Sequence, residues 1–318
     1  MQPEVAVGGG GEDDYPAKPV TPGVQLTFYG VRGSTPCDSR RFERYGGNTS
    51  CVALEAPGHQ PVVFDLGTGV REYGDVVTHT FAMDLEANRF VSPYRASVLL
   101  THLHWDHIIG FPFFTPLFRP DAKVDVFGPR QPEGTLDEVF TGVMRPPYFP
   151  ITPAQLGGTV TFRDSGDDDL PANGAKVRSR WVRHTDPTLG FRVELEGTSI
   201  AYISDHGPGC TPDDSDEFVP ANVLDLCDGV DVLMHDAQHT LDEYKAKRHF
   251  GHSSIEYAVH VARESGARKL VLFHHCPTHG DDDVDNLLRH AQDLAARGHG
   301  GPEVIAASEG LVLPVAPR

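Results

Sequence analysis

Cysteine, basic residues and long apolar runs are what this sequence has least of. Its five cysteines are Cys37, Cys51, Cys210, Cys227 and Cys276, an odd number with no CxxC pair. That excludes a disulfide framework and points to reduced thiols in the cytoplasm. Lys and Arg total 27 against 45 Asp and Glu, a formal charge of −18. Broad, sequence-independent grip on a nucleic-acid backbone needs clustered basic side chains, so an extended nucleic-acid partner is not expected. A small anionic substrate held by metals and one or two arginines remains open. No apolar run approaches the length of a membrane span, and no signal-peptide core stands at the N-terminus, so no membrane partner is expected.

What is present describes a globular protein with ample core: 39% hydrophobic and 23% charged residues. Residues 1–23, with Gly8-Gly9-Gly10-Gly11-Glu12-Asp13-Asp14, cannot bury enough apolar surface to order themselves and are read as a disordered leader. Residues 24–318 are read as one catalytic domain. Strands are predicted at 24–29, 51–55, 61–65, 98–100, 158–162 and 175–182. A hairpin is predicted over 191–195 and 199–203, with further strands at 230–234, 269–273 and a last one at 303–306. Helical spacing covers 135–143, 253–265 and 287–296. The Pro- and aromatic-rich stretch 111–158 is read as a lid-like insertion over the site.

The chain is organised around Val98-Leu99-Leu100-Thr101-His102-Leu103-His104-Trp105-Asp106-His107. An apolar strand ends here in four metal-type ligands within six positions. His102 and His104, two apart, can point to one side of an extended segment. One ion rarely takes ligands so crowded, whereas two neighbouring ions can share them. Imidazole with carboxylate suits zinc, manganese or iron. His and Asp recur where other apolar strands stop: His184, Asp205, His235/Asp236 and His274/His275. Five such endings suggest one edge of a sheet assembly carrying a shared site.

The order HxHxDH, lone His, lone Asp, late His resembles the metallo-β-lactamase superfamily, over essentially all of 24–310. The resemblance implies an α/β (α+β) fold, a four-layer αββα sandwich with two mixed β-sheets. It assigns His102, His104 and His184 to one divalent ion and Asp106, His107 and His274 to a second, with Asp205 bridging. The expected ions are two Zn2+, with Mn2+ or Fe2+ as alternatives. They would share a hydroxide nucleophile. Asp65 is expected to fix the tautomer of a ligand histidine, and His275 to stand behind the ligands.

Asp231-Val232-Leu233-Met234-His235-Asp236-Ala237 resembles the HEAT motif of the tRNase Z-like phosphodiesterases, with Asp236 for Glu and Gln238 for Thr. Gly251-His252-Ser253-Ser254 resembles their His-Ser-Thr motif. Carried over, Asp236 orients His252, which protonates the leaving oxygen, so Asp106, Asp236 and His252 are the expected catalytic residues. The tRNA-processing members add a Gly- and Lys-rich arm, absent from this sequence. Gly30-Val31-Arg32-Gly33-Ser34-Thr35-Pro36 and Tyr45-Gly46-Gly47-Asn48-Thr49-Ser50 look like the bacterial branch that hydrolyses 3′,5′-cyclic nucleotides. That activity, producing nucleoside monophosphates, is therefore expected first. The alternatives are 3′-end processing of RNA, or hydrolysis of cyclic phosphoribosyl, lactone or thioester substrates. Arg32, Tyr148 and Phe149 are the expected substrate contacts. A homodimer is expected, since relatives often close one subunit's pocket with the other's loop.

Overall fold

The computed structural model describes residues 23–317, apart from 90, 173, 210–217 and 298–299. Cys210 and nearly all of the expected leader lie outside the described residues. The elements in chain order are β1 (Val24–Gly30), β2 (Cys51–Glu55), β3 (Val62–Phe64), α1 (Gly69–Glu86), β4 (Arg95–Leu99) and α2 (Trp105–Ile108). They continue with β5 (Lys123–Pro129), α3 (Leu136–Val143), β6 (Thr159–Ser165), β7 (Asp169–Ala172), β8 (Ala175–Val182), β9 (Thr188–Leu195), β10 (Thr198–Ile203) and α4 (Ala221–Cys227). The last are β11 (Val232–Asp236), α5 (Leu241–Lys247), α6 (Ile255–Glu264), β12 (Lys269–Phe273), α7 (Asp281–Ala296), β13 (Glu303–Ala306) and β14 (Val312–Val315).

Two seven-stranded sheets result, in the orders β14-β1-β2-β3-β4-β5-β6 and β13-β12-β11-β10-β9-β8-β7. Both are mixed. β3 to β6 are parallel and β14, β1, β2 and β3 antiparallel, while β10 to β13 are parallel and β7 to β10 antiparallel. Side-chain alternation explains the layers. Val52 and Leu54 of β2 face the other sheet, while Cys51 and Ala53 pack under α1. Ile200 and Tyr202 of β10 likewise face inward, and Ala201 and Ile203 meet α4 and α6. Strands buried on both faces read as near-continuous apolar runs, which is why they stand out in the sequence. Phe64 meets Tyr202 at 4.9 Å and Phe28 meets Phe273 at 6.3 Å between centroids, closing the sheet-on-sheet core. The αββα expectation therefore holds.

Three local expectations are corrected. The 111–158 segment contains β5, a strand paired on both sides with β4 and β6, and Phe111, Phe114, Leu117 and Phe140 are buried under the first sheet. It is built into the core instead of standing over it as a lid. α7 begins at Asp281, ahead of the predicted start at 287, and Asp281, Asp282 and Asp283 form its first turn, where carboxylates favour the dipole. A further strand, β14, follows β13 and pairs with β1. Among the described residues no helix is long and apolar enough to cross a membrane.

Candidate metal centre

The site forms where strands of both sheets stop. β4 runs into His102 and His104, β8 into His184, β10 into Asp205, β11 into Asp236 and β12 into His274. Ligands gather outside the carboxyl ends of parallel strands because the chain leaves the sheet there and side chains are free to converge. Asp65 after β3 (φ 58°) and His274 after β12 (φ 60°) both adopt left-handed backbone conformations. Non-glycine residues are held there at a cost of about 1–3 kcal/mol, a pattern found at functional sites.

The structure brings all seven expected ligands together. His102, His104 and His184 form one group. Asp106, His107, Asp205 and His274 form another, with potential ligand atoms within 4.8 Å of one another in each. His184 Nε2 is 3.4 Å from His104 Nδ1. His107 Nε2 is 3.2 Å from Asp106 Oδ2 and 3.1 Å from Asp205 Oδ2. Asp205 touches both groups: Oδ1 is 3.8 Å from His102 Nε2, 3.9 Å from His184 Nε2 and 3.4 Å from His274 Nε2. Bonds of about 2.0–2.1 Å to a tetrahedral cation put ligand atoms about 3.4 Å apart. His102 Nε2, His107 Nε2 and Asp205 Oδ2 are buried without hydrogen-bond partners. Such orphans are costly unless something else satisfies them, and the donor set fits a pair of divalent cations.

Four of the five candidate ligand histidines have the other ring nitrogen committed to an oxygen, which selects the tautomer. His107 Nδ1 donates to Asp65 Oδ2 at 2.8 Å, as expected of Asp65. That carboxylate also accepts from Thr101 N and Tyr202 OH, both at 2.8 Å. His102 Nδ1 donates to Thr101 Oγ1 at 3.0 Å. His184 Nδ1 donates to the Gly251 carbonyl at 2.9 Å, and a Cβ on Gly251 would sit 2.7 Å from that ring. His104 donates through Nε2 to Asp186 Oδ2 at 2.9 Å, leaving Nδ1 toward His184. Thr101, Asp186 and the Gly251 carbonyl were missed in the sequence. Asp186 had a readable signal, standing two residues after His184. A backbone carbonyl has none.

The titration of these groups follows from their surroundings. Burial alone would raise Asp106 and Asp205. The neighbouring histidines outweigh it and hold both carboxyls well below the usual range, with His107 and His274 acting on each. Burial holds His102 and His184 below the ordinary imidazole value, so both are neutral, as ligands must be. His107 is buried too, yet Asp205, Asp106 and Asp65 raise it.

His252 lies beside both groups, with ring centroids 5.2 Å from His184 and 5.0 Å from His274. Its Nδ1 donates to Asp236 Oδ2 at 2.8 Å. Burial lowers its pKa, but Asp236 more than compensates and the net shift is upward. The shorter Asp in place of Glu thus reaches its partner. The adjoining helix is capped by Ser254, whose hydroxyl accepts from Tyr257 N.

Four expected site residues lie outside the cluster. Arg32 is fully buried and donates through Nε to Gly46 O at 2.7 Å and through Nη1 to His279 O at 2.7 Å. It ties the first loop to the loop after β12 and is not a substrate contact. His275 is hydrogen-bonded through Nε2 to Ala307 O at 2.9 Å and not to a ligand side chain; burial pushes it down to about 3. Tyr148 is 74% exposed, and Phe149 packs edge-on against Phe113 at 5.9 Å. Neither is part of the His/Asp cluster.

An αββα sandwich with paired His/Asp cages at its strand ends defines a metal-dependent hydrolase of the metallo-β-lactamase fold. The chain belongs to the β-lactamase superfamily: the family model described as Beta-lactamase superfamily domain matches residues 80–275, more than half of it. Ribonuclease Z of Synechococcus sp. (strain WH7803) is 25% identical over 93% of this chain and 97% of its own length. Ribonuclease Z of Streptococcus suis (strain 98HAH33) is 24% identical over 87% and 97%. Among solved structures, the metallo-β-lactamase fold protein YhfI from Bacillus subtilis superimposes with a TM-score of 0.62 at 18% identity, covering 91% of this chain and 98% of its own. Human tRNase Z, short form, gives 0.59 at 20%, covering 92% and 99%. A diphosphatase from the PhnP family gives 0.58 at 19%, covering 91% and 96%.

Proposed function

We propose that this protein is a phosphodiesterase in which seven side chains hold two divalent ions and His252, oriented by Asp236, protonates the leaving oxygen. One group is His102, His104 and His184, and the other is Asp106, His107 and His274, with Asp205 shared. When bound, such ions supply Lewis acidity toward the phosphoryl oxygens and a nucleophile at neutral pH. The observation that carries the reading is the 2.8 Å His252–Asp236 bond beside both groups. An alkoxide leaves poorly without a proton. The Asp236 carboxylate keeps Nδ1 protonated and stabilises the imidazolium, so His252 has a proton to give near neutral pH. A thioester, whose thiolate leaves readily, places no such demand on its leaving group.

The substrate class supported first is RNA cut on its 3′ side, because curated relatives aligned over nearly their full length are named ribonuclease Z. This departs from the expectation of a small cyclic substrate. The second reading, hydrolysis of 3′,5′-cyclic nucleotides, is favoured by the net charge of −18 and by the lack of a Gly- and Lys-rich arm. The test is the full chain, loaded with zinc or manganese, offered a precursor tRNA and, separately, cyclic AMP, GMP, CMP and UMP. Trimming of the tRNA supports the first reading, and turnover of a cyclic nucleotide alone the second. Turnover of neither, with two ions bound, overturns the phosphodiesterase assignment.

A further inference from the structure

Four of the five histidines in the cluster have an oxygen at the ring nitrogen that faces away from it. The fifth, His274, has Gln238. The carboxamide nitrogen Nε2 lies 3.2 Å from His274 Nδ1 and 3.2 Å from Ser34 Oγ. Gln238 is 3% exposed and His274 fully buried, so neither can exchange this contact for solvent. His274 Nε2 lies 3.2 Å from Asp106 Oδ2 and 3.4 Å from Asp205 Oδ1. To hold a cation, Nε2 must present a lone pair. The ring proton then sits on Nδ1 and needs an acceptor. A half-turn of the amide exchanges nitrogen for oxygen at the same place, and Oε1 then accepts from both Nδ1–H and the Ser34 hydroxyl.

Two more features hold this arrangement. A Cβ on Gly33 would lie 2.5 Å from Gln238 Nε2 and 2.5 Å from His274 Nδ1, so the absence of a side chain there lets the pair pack over the first loop. The next residue of that loop, Ser34 (φ 65°), donates its backbone N–H to Asp106 Oδ2 at 2.7 Å. One short loop therefore supports two neighbouring ligands, directly for Asp106 and through Gln238 for His274. Gln238 stands where the motif that Asp231–Ala237 resembles has Thr.

We propose that Gln238 is a positioning residue: its carboxamide oxygen selects the His274 tautomer that can hold a cation. The inference rests on the reading of His274 as a ligand. It is tested with three variants of the full chain, Gln238→Met, Gln238→Glu and His274→Ala. Zinc affinity is measured by chelator competition, and the His274 tautomer by nitrogen-15 NMR of the imidazole. Gln238→Met keeps the shape and loses the acceptor. It should bind the weaker ion about 10–100-fold less tightly. Gln238→Glu retains the acceptor and should bind within about threefold of the parent. In the zinc-loaded parent the His274 proton should sit on Nδ1. A Gln238→Met protein with parental affinity and an unchanged tautomer, alongside a His274→Ala protein that loses an ion, overturns this inference and leaves the ligand assignment standing. A His274→Ala protein that keeps both ions overturns the ligand assignment as well. Should Gln238→Met fail to fold, Gln238→Glu decides: a tenfold loss of affinity contradicts the proposal.

Discussion

Asp65→Asn isolates one contribution to the metal centre. Asp65 is fully buried and accepts from Thr101 N, Thr101 Oγ1, His107 Nδ1 and Tyr202 OH, at 2.8, 3.0, 2.8 and 2.8 Å. Its φ of 58° is tolerated by Asn, so the backbone adds little to the outcome. Asn retains one oxygen for Thr101 but offers an amide where His107 and Tyr202 donate. His107 then gains by moving its proton to Nε2, the nitrogen beside Asp106 and Asp205, which spoils it as a ligand. Loss of such a supporting carboxylate weakens metal binding about 10–100-fold, or about 1.4–2.7 kcal/mol. Asp65→Ala removes every acceptor and leaves buried donors facing nothing, at about 3–5 kcal/mol. At about 2–4 °C per kcal/mol for a large domain, the metal-free protein should melt about 6–20 °C lower. Chelator competition and thermal unfolding with and without zinc read both effects. An Asp65→Asn protein that binds zinc as tightly as the parent refutes the reasoning.

The remaining predictions follow from the same geometry. His252→Ala should lower kcat on an alkoxide-leaving phosphodiester by about 10²–10⁴ while both ions stay bound. On a nitrophenyl phosphodiester, whose leaving group needs no proton, the loss should be small; equal losses on both substrates argue against His252 as the acid. Asp236 raises the His252 pKa, and the acid works only while protonated, so activity should fall as pH rises through that value. Asp236→Asn should move this alkaline limb of kcat/KM to lower pH, and an unmoved limb contradicts the pairing. Arg32→Met should lower the melting temperature, because the carbonyls of Gly46, Cys276 and His279, the last two in buried contacts, lose their donor. KM should not change, and a raised KM would restore Arg32 to the substrate site.

Much of this was legible in the sequence for a physical reason. Strands buried on both faces, such as Cys51–Glu55 and Lys269–Phe273, are apolar runs bounded by turn residues, and Ala175–Val182 is legible instead by alternation of buried with more exposed positions; each stands where it was predicted. The ligands could be read because they follow those strands directly. Less visible was α1, since Gly69, Gly74 and a weakly apolar face disguise an 18-residue helix. β5 was hidden among prolines and aromatics whose packing under the sheet only the fold reveals. Arg32 misled because a charged residue in a Gly-rich loop reads as exposed, whereas backbone carbonyls from two loops and the Asp281 carboxylate, 3.9 Å from Nη2, hold it in the interior. The supports of the ligand histidines are partly backbone and partly distant in sequence, as with Gly251 for His184, 67 residues apart. No local pattern marks such partners.

Anomalous diffraction from crystals of the zinc-loaded protein tests the central claim most directly. The account predicts two peaks, one among His102, His104 and His184 and one among Asp106, His107 and His274, with Asp205 between them. A single peak in a fully active protein, or metal bound away from these side chains, would contradict it.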